Sequence, residues 1–533
     1  MIRRDLVLLT ALALVARALA ALLTPSPPYV DAAYYTLVAG RLADGHGFTV
    51  PVLWSFLEVG GTLPVNPMLP VPSNGHWMPL TSIVAAGPMA LLGPSWAAGQ
   101  IPMVLLSTLL VPLTYLVGWE VWRSRWVAMP AAWLAIFAGP LLVMYPLVEN
   151  FAVFGVAGAA ALYASMRATR AERPAAWLVA AGACVGLATL ARIDGLLLAV
   201  APAVAWWQQR GAGRIGFVAG VASAAAALLV LAPWLIRDLA VFGSPLPSAG
   251  GHTLWITTYN QQFSLESNPS PASYLASGPV AIIGSKLASW GELLGRTLSV
   301  MAGLFGVTFL AGLWLERGRR ELRPFIAYWL VMFVVMGLVF TFHAPKGAFM
   351  HSAPAWLPFA FPLGVAAVAP LGSALARWWR FLGRPQTHRF LLVVGLASSV
   401  LVSVVSSVAL LVMWRTDVSR LEAAAAYLRQ EAESEDVVMA LDPARLNLLT
   451  GNPAVAPPFD RYAIVDQVVH GYDVRWVVVT LEPGESRDPL GLWDGTSATD
   501  LAGSHPRFMG RLRFEAPGVR VFSVNRGPEL RAE

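Results

Sequence analysis

The stretch Pro28-Tyr29-Val30-Asp31-Ala32-Ala33-Tyr34-Tyr35 follows an apolar run over 5–24 and opens a polar-rich loop that reaches to 77. A helical membrane span takes about 20 mostly apolar residues. The run over 5–24 therefore reads as a span, with Asp31 at its lip. A carboxylate at that depth, ahead of so long a loop, is poorly explained by packing and points to chemistry at the membrane surface.

Working outward, the rest of the chain is of the same kind. It is 56% hydrophobic and only 13% charged, where soluble proteins carry about 25% charge. Its mean hydropathy is +0.60. This is the composition of a polytopic α-helical membrane protein. Further apolar stretches lie near 97–118, 126–146, 150–166, 177–191, 195–208, 215–235, 297–315, 325–342, 352–376 and 390–413. The expected number of transmembrane helices is thus about eleven. The stretch 78–93 is short and interrupted by Pro79, Gly87 and Pro88, and reads as an interfacial helix. Arg3 and Arg4 precede the first stretch, but no small-residue cleavage site follows it, so it is expected to be retained.

The arginines orient the spans. Arg3 and Arg4, Arg123 and Arg125, Arg167, Arg170 and Arg173, Arg210 and Arg214, Arg317, Arg319, Arg320 and Arg323, and Arg377, Arg380, Arg384 and Arg389 fall in alternate gaps. Positive charge collects in cytoplasmic loops. The N-terminus is expected inside and everything after 414 outside. The outer loops are then about 25–96, 147–150, 192–194, 236–296 and 343–351.

Two parts follow: a transmembrane part over 1–414 and a small extracytoplasmic α/β domain over 415–533. The second part holds 18 of the 31 acidic residues. A helix is expected over 418–431 and strands over 436–441, 474–480, 508–514 and 518–524, the last two joined at Pro517-Gly518. The formal charge of +6 comes mainly from cytoplasmic arginines and is no argument for a nucleic-acid partner. Cys184 is the single cysteine and excludes an internal disulfide framework. P-loop, HExxH, zinc-spaced Cys/His and GxSxG patterns are absent.

The outer side of the membrane part gathers the ionisable groups. Asp31 suits a general base acting on a hydroxyl, or a metal ligand; its plainer role is to cap a helix over 32–43. Glu149, in Tyr145-Pro146-Leu147-Val148-Glu149-Asn150, is a second acid that would orient an acceptor or complete a metal site, or else an interfacial cap. Arg192-Ile193-Asp194-Gly195 reads first as a local ion pair in a tight turn. Arg237, in Pro233-Trp234-Leu235-Ile236-Arg237-Asp238, is placed to grip a phosphate or to snorkel. His343, Lys346 and His351 make a short basic turn suited to a phosphate, or to lipid headgroups. His76, just before Trp77, opens the interfacial helix and would line the same cavity or anchor that helix at the headgroups.

Taken together and in order, these motifs resemble the GT-C superfamily of membrane glycosyltransferases. The resemblance is nearest to the bacterial glycosyltransferase 39 group of protein mannosyltransferase-like and aminoarabinose-transferase-like enzymes. It covers approximately 1–415. It rests on Asp31-Ala32-Ala33-Tyr34-Tyr35, Leu42-Ala43-Asp44-Gly45-His46-Gly47-Phe48, His76-Trp77-Met78-Pro79-Leu80, Glu149, Leu190-Ala191-Arg192-Ile193-Asp194-Gly195-Leu196 and Pro233-Trp234-Leu235-Ile236-Arg237-Asp238. The resemblance implies a bacterial plasma-membrane enzyme that uses a polyprenyl-phosphate-linked sugar donor on the outer face. It implies inversion at the anomeric carbon, with Asp31 as base. Arg237, Lys346 and Arg192 would hold the leaving phosphate, and Glu149 the acceptor. Tyr34, Tyr35, His76, His343 and His351 would line the cavity. Many relatives carry a second acid after the first, where this chain has Ala32. On that ground no metal or other cofactor is expected, although a divalent ion would suit the acids. The acceptor, a glycan, lipid or protein, is left open.

The main alternative is a lipid or glycan transporter. Transporters show inverted repeats or broken helices in matching halves, and no repeat is found at any spacing. A scaffold for the C-terminal domain would not explain the acids and bases gathered on the outer edge.

Overall fold

A computed structural model of the chain describes residues 2–247, 252–376, 385–480 and 506–525. Arg377, Arg380 and Arg384 lie outside the described residues.

The chain begins with α1 (Ile2–Leu23), α2 (Val30–Ala43), α3 (Leu80–Leu92), α4 (Trp96–Trp122) and α5 (Arg125–Phe137). It continues through α6 (Leu141–Met144), α7 (Asn150–Ala168), α8 (Pro174–Ala191), α9 (Val200–Gly211) and α10 (Phe217–Phe242). Next come α11 (Pro271–Ala276), α12 (Pro279–Val300), α13 (Leu304–Leu315), α14 (Arg323–Leu338), α15 (Phe349–Ala376) and α16 (Pro385–Glu431). Two short helices, α17 (Pro443–Thr450) and α18 (Tyr462–Gly471), belong to the C-terminal part.

Among the described residues seven helices are long and apolar enough to cross a membrane, or eight if the bent pair α12–α13 is one span. The helices α3, α5 and α14 are apolar but shorter. Two departures from the sequence expectation have local causes. The expected span over 126–146 breaks after Phe137 into α5 and the single turn of α6. Arg17, fully buried in α1, donates to the carbonyls of Ala135 at 3.0 Å and Ile136 at 2.9 Å. It thereby satisfies carbonyls that the end of α5 leaves without helical partners. The stretch 195–208 starts as a 3-10 helix, Ile193–Ala199, because Gly195 packs against the end of α8: a Cβ there would lie 2.5 Å from the Ala188 carbonyl carbon. The segment read as loop before 297 contains α12, which meets α13 at 111°.

The expected separate helix over 418–431 is continuous with the last span. The 47 residues of α16 would reach about 70 Å at 1.5 Å per residue, more than twice the ~30 Å hydrocarbon thickness. A single continuous helix thus carries the chain from the bundle into the sheet.

That sheet has six strands in the order β2-β5-β4-β6-β8-β7. They are β2 (Val52–Leu53), β4 (Val437–Ala440), β5 (Ala454–Val455), β6 (Val474–Thr480), β7 (Met509–Ala516) and β8 (Val519–Val524); β1 (Thr49–Val50) and β3 (Val71–Pro72) form a separate pair. The first four in order are parallel and the β7–β8 hairpin is antiparallel, its turn made at Gly518 with φ 79°. β2 comes from the first long loop, between α2 and α3. One apolar core joins Tyr34, Val38, Leu53 and Phe56 to Met439, Val455, Val465 and Val477. The first loop and the C-terminal segment therefore fold as one body on the bundle.

Candidate active site

Helix α2 positions Asp31. Its N-cap is Tyr29, in extended conformation, and no side chain caps the helix. Asp31 is therefore not the cap that its sequence context allowed. It stands half-buried in the first turn, where an acid is favourable, with its carboxylate free for other work. One ligand atom each from Asp31, Glu149 and His351 lie within 4.8 Å of one another. Burial and the neighbouring Glu149 carboxylate push the Asp31 carboxyl up to about 7, against the opposing pull of His351 and Arg192.

Glu149 ends the turn before α7 and is fully buried. It accepts from the Asn150 backbone N–H at 2.9 Å and from the Tyr29 hydroxyl at 3.5 Å. Its Oε2 lies 2.8 Å from His351 Nε2. The other ring nitrogen, His351 Nδ1, lies 2.9 Å from the Gly347 carbonyl. A carbonyl only accepts, so the neutral ring carries its proton on Nδ1 and its lone pair on Nε2. That lone pair faces a carboxylate and makes no hydrogen bond of acceptable geometry. Two electron-rich atoms this close call for a positive charge, either a second ring proton or a cation. A histidine whose far nitrogen is fixed by a carbonyl is also how metal-binding imidazoles are held. Two carboxylates and one imidazole thus fit a divalent cation.

Around this trio stand the other expected residues. Tyr35 is buried, with its hydroxyl 3.5 Å from the Asn150 amide. Tyr34, one position earlier on α2, meets Tyr35 edge-on and packs with it on Trp77. Its hydroxyl donates to Glu58 and accepts from the Asn74 N–H at 2.8 Å, so it is a peg of the loop core rather than a wall of the site. Arg192 donates to Asp194 at 2.8 Å and to the Ala348 carbonyl at 3.3 Å, while the Ser352 hydroxyl donates to the same Asp194. The local ion pair holds, and its guanidinium also acts on Asp31 and His76.

Arg237 is placed differently. It pairs with Asp238 at 2.9 Å, donates to the Ser73 carbonyl at 2.9 Å and lies 4.6 Å over the Trp234 ring. Its visible work is to clamp the first loop to α10. His343 Nε2 donates to Gln262 Oε1 at 2.8 Å. Burial pushes His343 down to about 4, and burial with His343 and Arg192 nearby does the same to His76. Both are uncharged at neutral pH. Lys346 is exposed, its Nζ 5.6 Å from the Tyr259 ring.

Sequence reasoning missed four contributors. Tyr259 and Gln262 come from the loop between α10 and α11, where no periodicity marks them; Tyr259 feels the Asp31 charge. Asp442 and Arg445 come from α17. Arg445 donates to the Pro28 carbonyl at 3.0 Å, and Asp442 acts electrostatically on Asp31. The Asp442-Pro443 pair signals a helix start, but nothing in the sequence places that start beside Asp31.

No family model and no curated protein matches the sequence. Solved structures do match in fold. ArnT from Cupriavidus metallidurans bound to undecaprenyl phosphate is 15% identical, with a TM-score of 0.58 and 97% of each chain covered. An oligosaccharyltransferase from Archaeoglobus fulgidus in complex with Zn and sulfate is 13% identical, with a TM-score of 0.57, covering 97% of this chain and 72% of that one. AglB from the same organism, in complex with an inhibitory peptide and a dolichol-phosphate, is 13% identical with a TM-score of 0.53, covering 88% of this chain and 69% of that one. The chain shares the fold of these structures.

Proposed function

We propose that the chain is a membrane glycosyltransferase that moves a sugar from a polyprenyl-phosphate donor to an acceptor hydroxyl on the outer face of the plasma membrane. The observation that carries this reading is the Asp31 carboxylate, uncommitted to capping and gathered with Glu149 and His351 at the end of a GT-C-folded bundle. The lipid phosphates bound by ArnT and AglB support a donor of that chemical class here.

In the proposed reaction Asp31 accepts the proton of the acceptor hydroxyl. The acceptor oxygen bonds to the anomeric carbon from the face opposite the phosphate, as the bond from that carbon to the phosphate oxygen breaks. The electron pair leaves on the lipid phosphate, and the configuration inverts. Arg192 and Lys346 face the developing charge, where fixed cations lower the barrier most. Arg237 acts one step back, holding the first loop in place. Asp31, Glu149 and His351 would also hold a divalent cation, which when bound supplies positive charge beside the leaving phosphate. Asp31 has two carboxylate oxygens, so a ligand role leaves one for the proton. Tyr35, Tyr259 and the neutral His76 and His343 offer uncharged hydrogen-bonding groups suited to sugar hydroxyls.

The test is product stereochemistry. The purified full chain in nanodiscs is given polyprenyl-phosphate sugars of known anomeric configuration with a membrane extract as acceptor. A glycosylated product of inverted configuration is expected. A retained configuration would remove Asp31 from the role of base in a single displacement. Movement of lipid-linked glycan across the bilayer without bond cleavage would instead establish a transporter.

A further inference from the structure

A groove separate from the candidate site opens between α8, α9 and α10. Its volume is about 420 Å³, within the range of small-ligand sites. Val185, Ala199, Trp206, Phe217, Gly220 and Ala227 are among its walls. Its hydrogen-bonding side chains are already satisfied. Ser223 donates to the Leu178 carbonyl at 2.7 Å, and the Trp206 indole donates to the Gly216 carbonyl at 3.2 Å. The second bond also fixes the Trp206 ring as a wall. Gly220 lies so close beneath it that a Cβ would come within 2.9 Å. The groove is preformed, and it offers its occupant only apolar surface.

Its depth matches one leaflet. Along α10 the lining runs from Phe217 to Ala227, about 15 Å at 1.5 Å per residue, or half of a ~30 Å hydrocarbon layer. Both α8 and α10 are long and apolar enough to cross a membrane. The Phe217 end of the lining adjoins the α9–α10 turn, since α9 ends at Gly211 and α10 begins at Phe217. There the Arg210 guanidinium sits 5.2 Å from the Trp206 ring and 5.8 Å from the Phe217 ring. Among the described residues neither Arg210 nor the neighbouring Arg214 has an ion-pair partner. A leaflet-deep apolar groove with a cation beside its Trp206 and Phe217 end has the chemistry of one lipid class. A polyprenyl tail is far longer than the groove.

We propose that this groove binds an acyl chain of an anionic phospholipid from the leaflet on the arginine-rich side, with Arg210 at the headgroup phosphate. The full chain, purified in detergent, is titrated with phosphatidylglycerol or phosphatidylcholine and observed by native mass spectrometry. One phosphatidylglycerol is expected to be retained about fivefold more strongly than phosphatidylcholine, the preference worth one basic residue at a membrane surface. Arg210→Gln, at an exposed position, should erase the preference and keep weak binding of both. Ala224→Phe, also exposed and in the lining, should plug the groove and lose both. Equal retention of the two lipids by the wild type would overturn the proposal. So would an Ala224→Phe variant, folded by circular dichroism, that retains phosphatidylglycerol unchanged. A polyprenyl phosphate retained by the wild type and lost in Ala224→Phe would assign the groove to the donor instead.

Discussion

Asp31 is useful as a base only when it has lost its proton, and its surroundings raise the pH at which that happens. With burial and Glu149 pushing its pKa to about 7, turnover should rise with pH through the region near 7. A rate that is flat between pH 5 and 8 would show that another group takes the proton. Added divalent cation, by neutralising Glu149, should move the rise to lower pH. Glu58 makes a parallel point about stability. It is buried under the first loop with one oxygen unpartnered, and burial raises its pKa from 4.5 to about 8. The fold therefore holds this proton more tightly than the unfolded chain does. Its contribution is fully present below about pH 4.5 and is lost as pH rises to about 8. Thermal unfolding should show the wild type losing stability across that window more steeply than Glu58→Gln. Parallel curves would mean that the carboxyl is not buried in its neutral form.

At the scale of elements, the turn after α8 shows how packing presents a charged group. Gly195 has no room for a methyl group, and the Asp194 beside it holds Arg192 toward the cluster. Gly195→Ala should cost about 1–3 kcal/mol by overpacking and lower turnover with it. Gly211→Ala, where nothing lies within 4 Å, should be neutral or stabilise by about 0.5–1 kcal/mol. Equal effects in denaturation and activity assays would mean that the close contact is not retained in solution. The same scale shows what the sequence could reveal. Apolar runs reflect a strong, local constraint of the bilayer, so the seven helices long and apolar enough to cross it were legible. α12 was not, because Lys286, Glu292 and Arg296 interrupt its apolar pattern. Nor was the unity of α16, whose change from apolar to amphipathic suggested two helices. Asp31 and Glu149 stood out because charge is costly at those positions. Tyr259 and Gln262 carry no such cost in a loop, and their role appears only once the loop folds back over His343.

Across the whole molecule, the first long loop and the C-terminal segment form one body, latched to the bundle near the cluster. β2 pairs with β5, Arg445 reaches the Pro28 carbonyl, and Asp460 accepts from the Leu265 N–H at 2.6 Å. The C-terminal segment thus helps hold the start of α2, and with it Asp31. Arg445→Ala should lower kcat about tenfold or more, since misplacing a reacting group by about 1 Å is that costly. The helix content should stay unchanged by circular dichroism. Undiminished kcat would mean that α2 is held by the bundle alone. The apolar runs that mark the long helices are silent on this contact, which joins residues 417 positions apart.

The most direct measurement compares donor turnover by the wild type and Asp31→Asn, reading the release of free polyprenyl phosphate from a panel of polyprenyl-phosphate sugars with membrane extract as acceptor. The wild type should release it, and the variant should be slower by about 10²–10⁴-fold, the usual worth of a positioned general base. Equal release by both proteins would contradict the assignment of Asp31, and no release from any donor by the wild type would contradict glycosyl transfer itself.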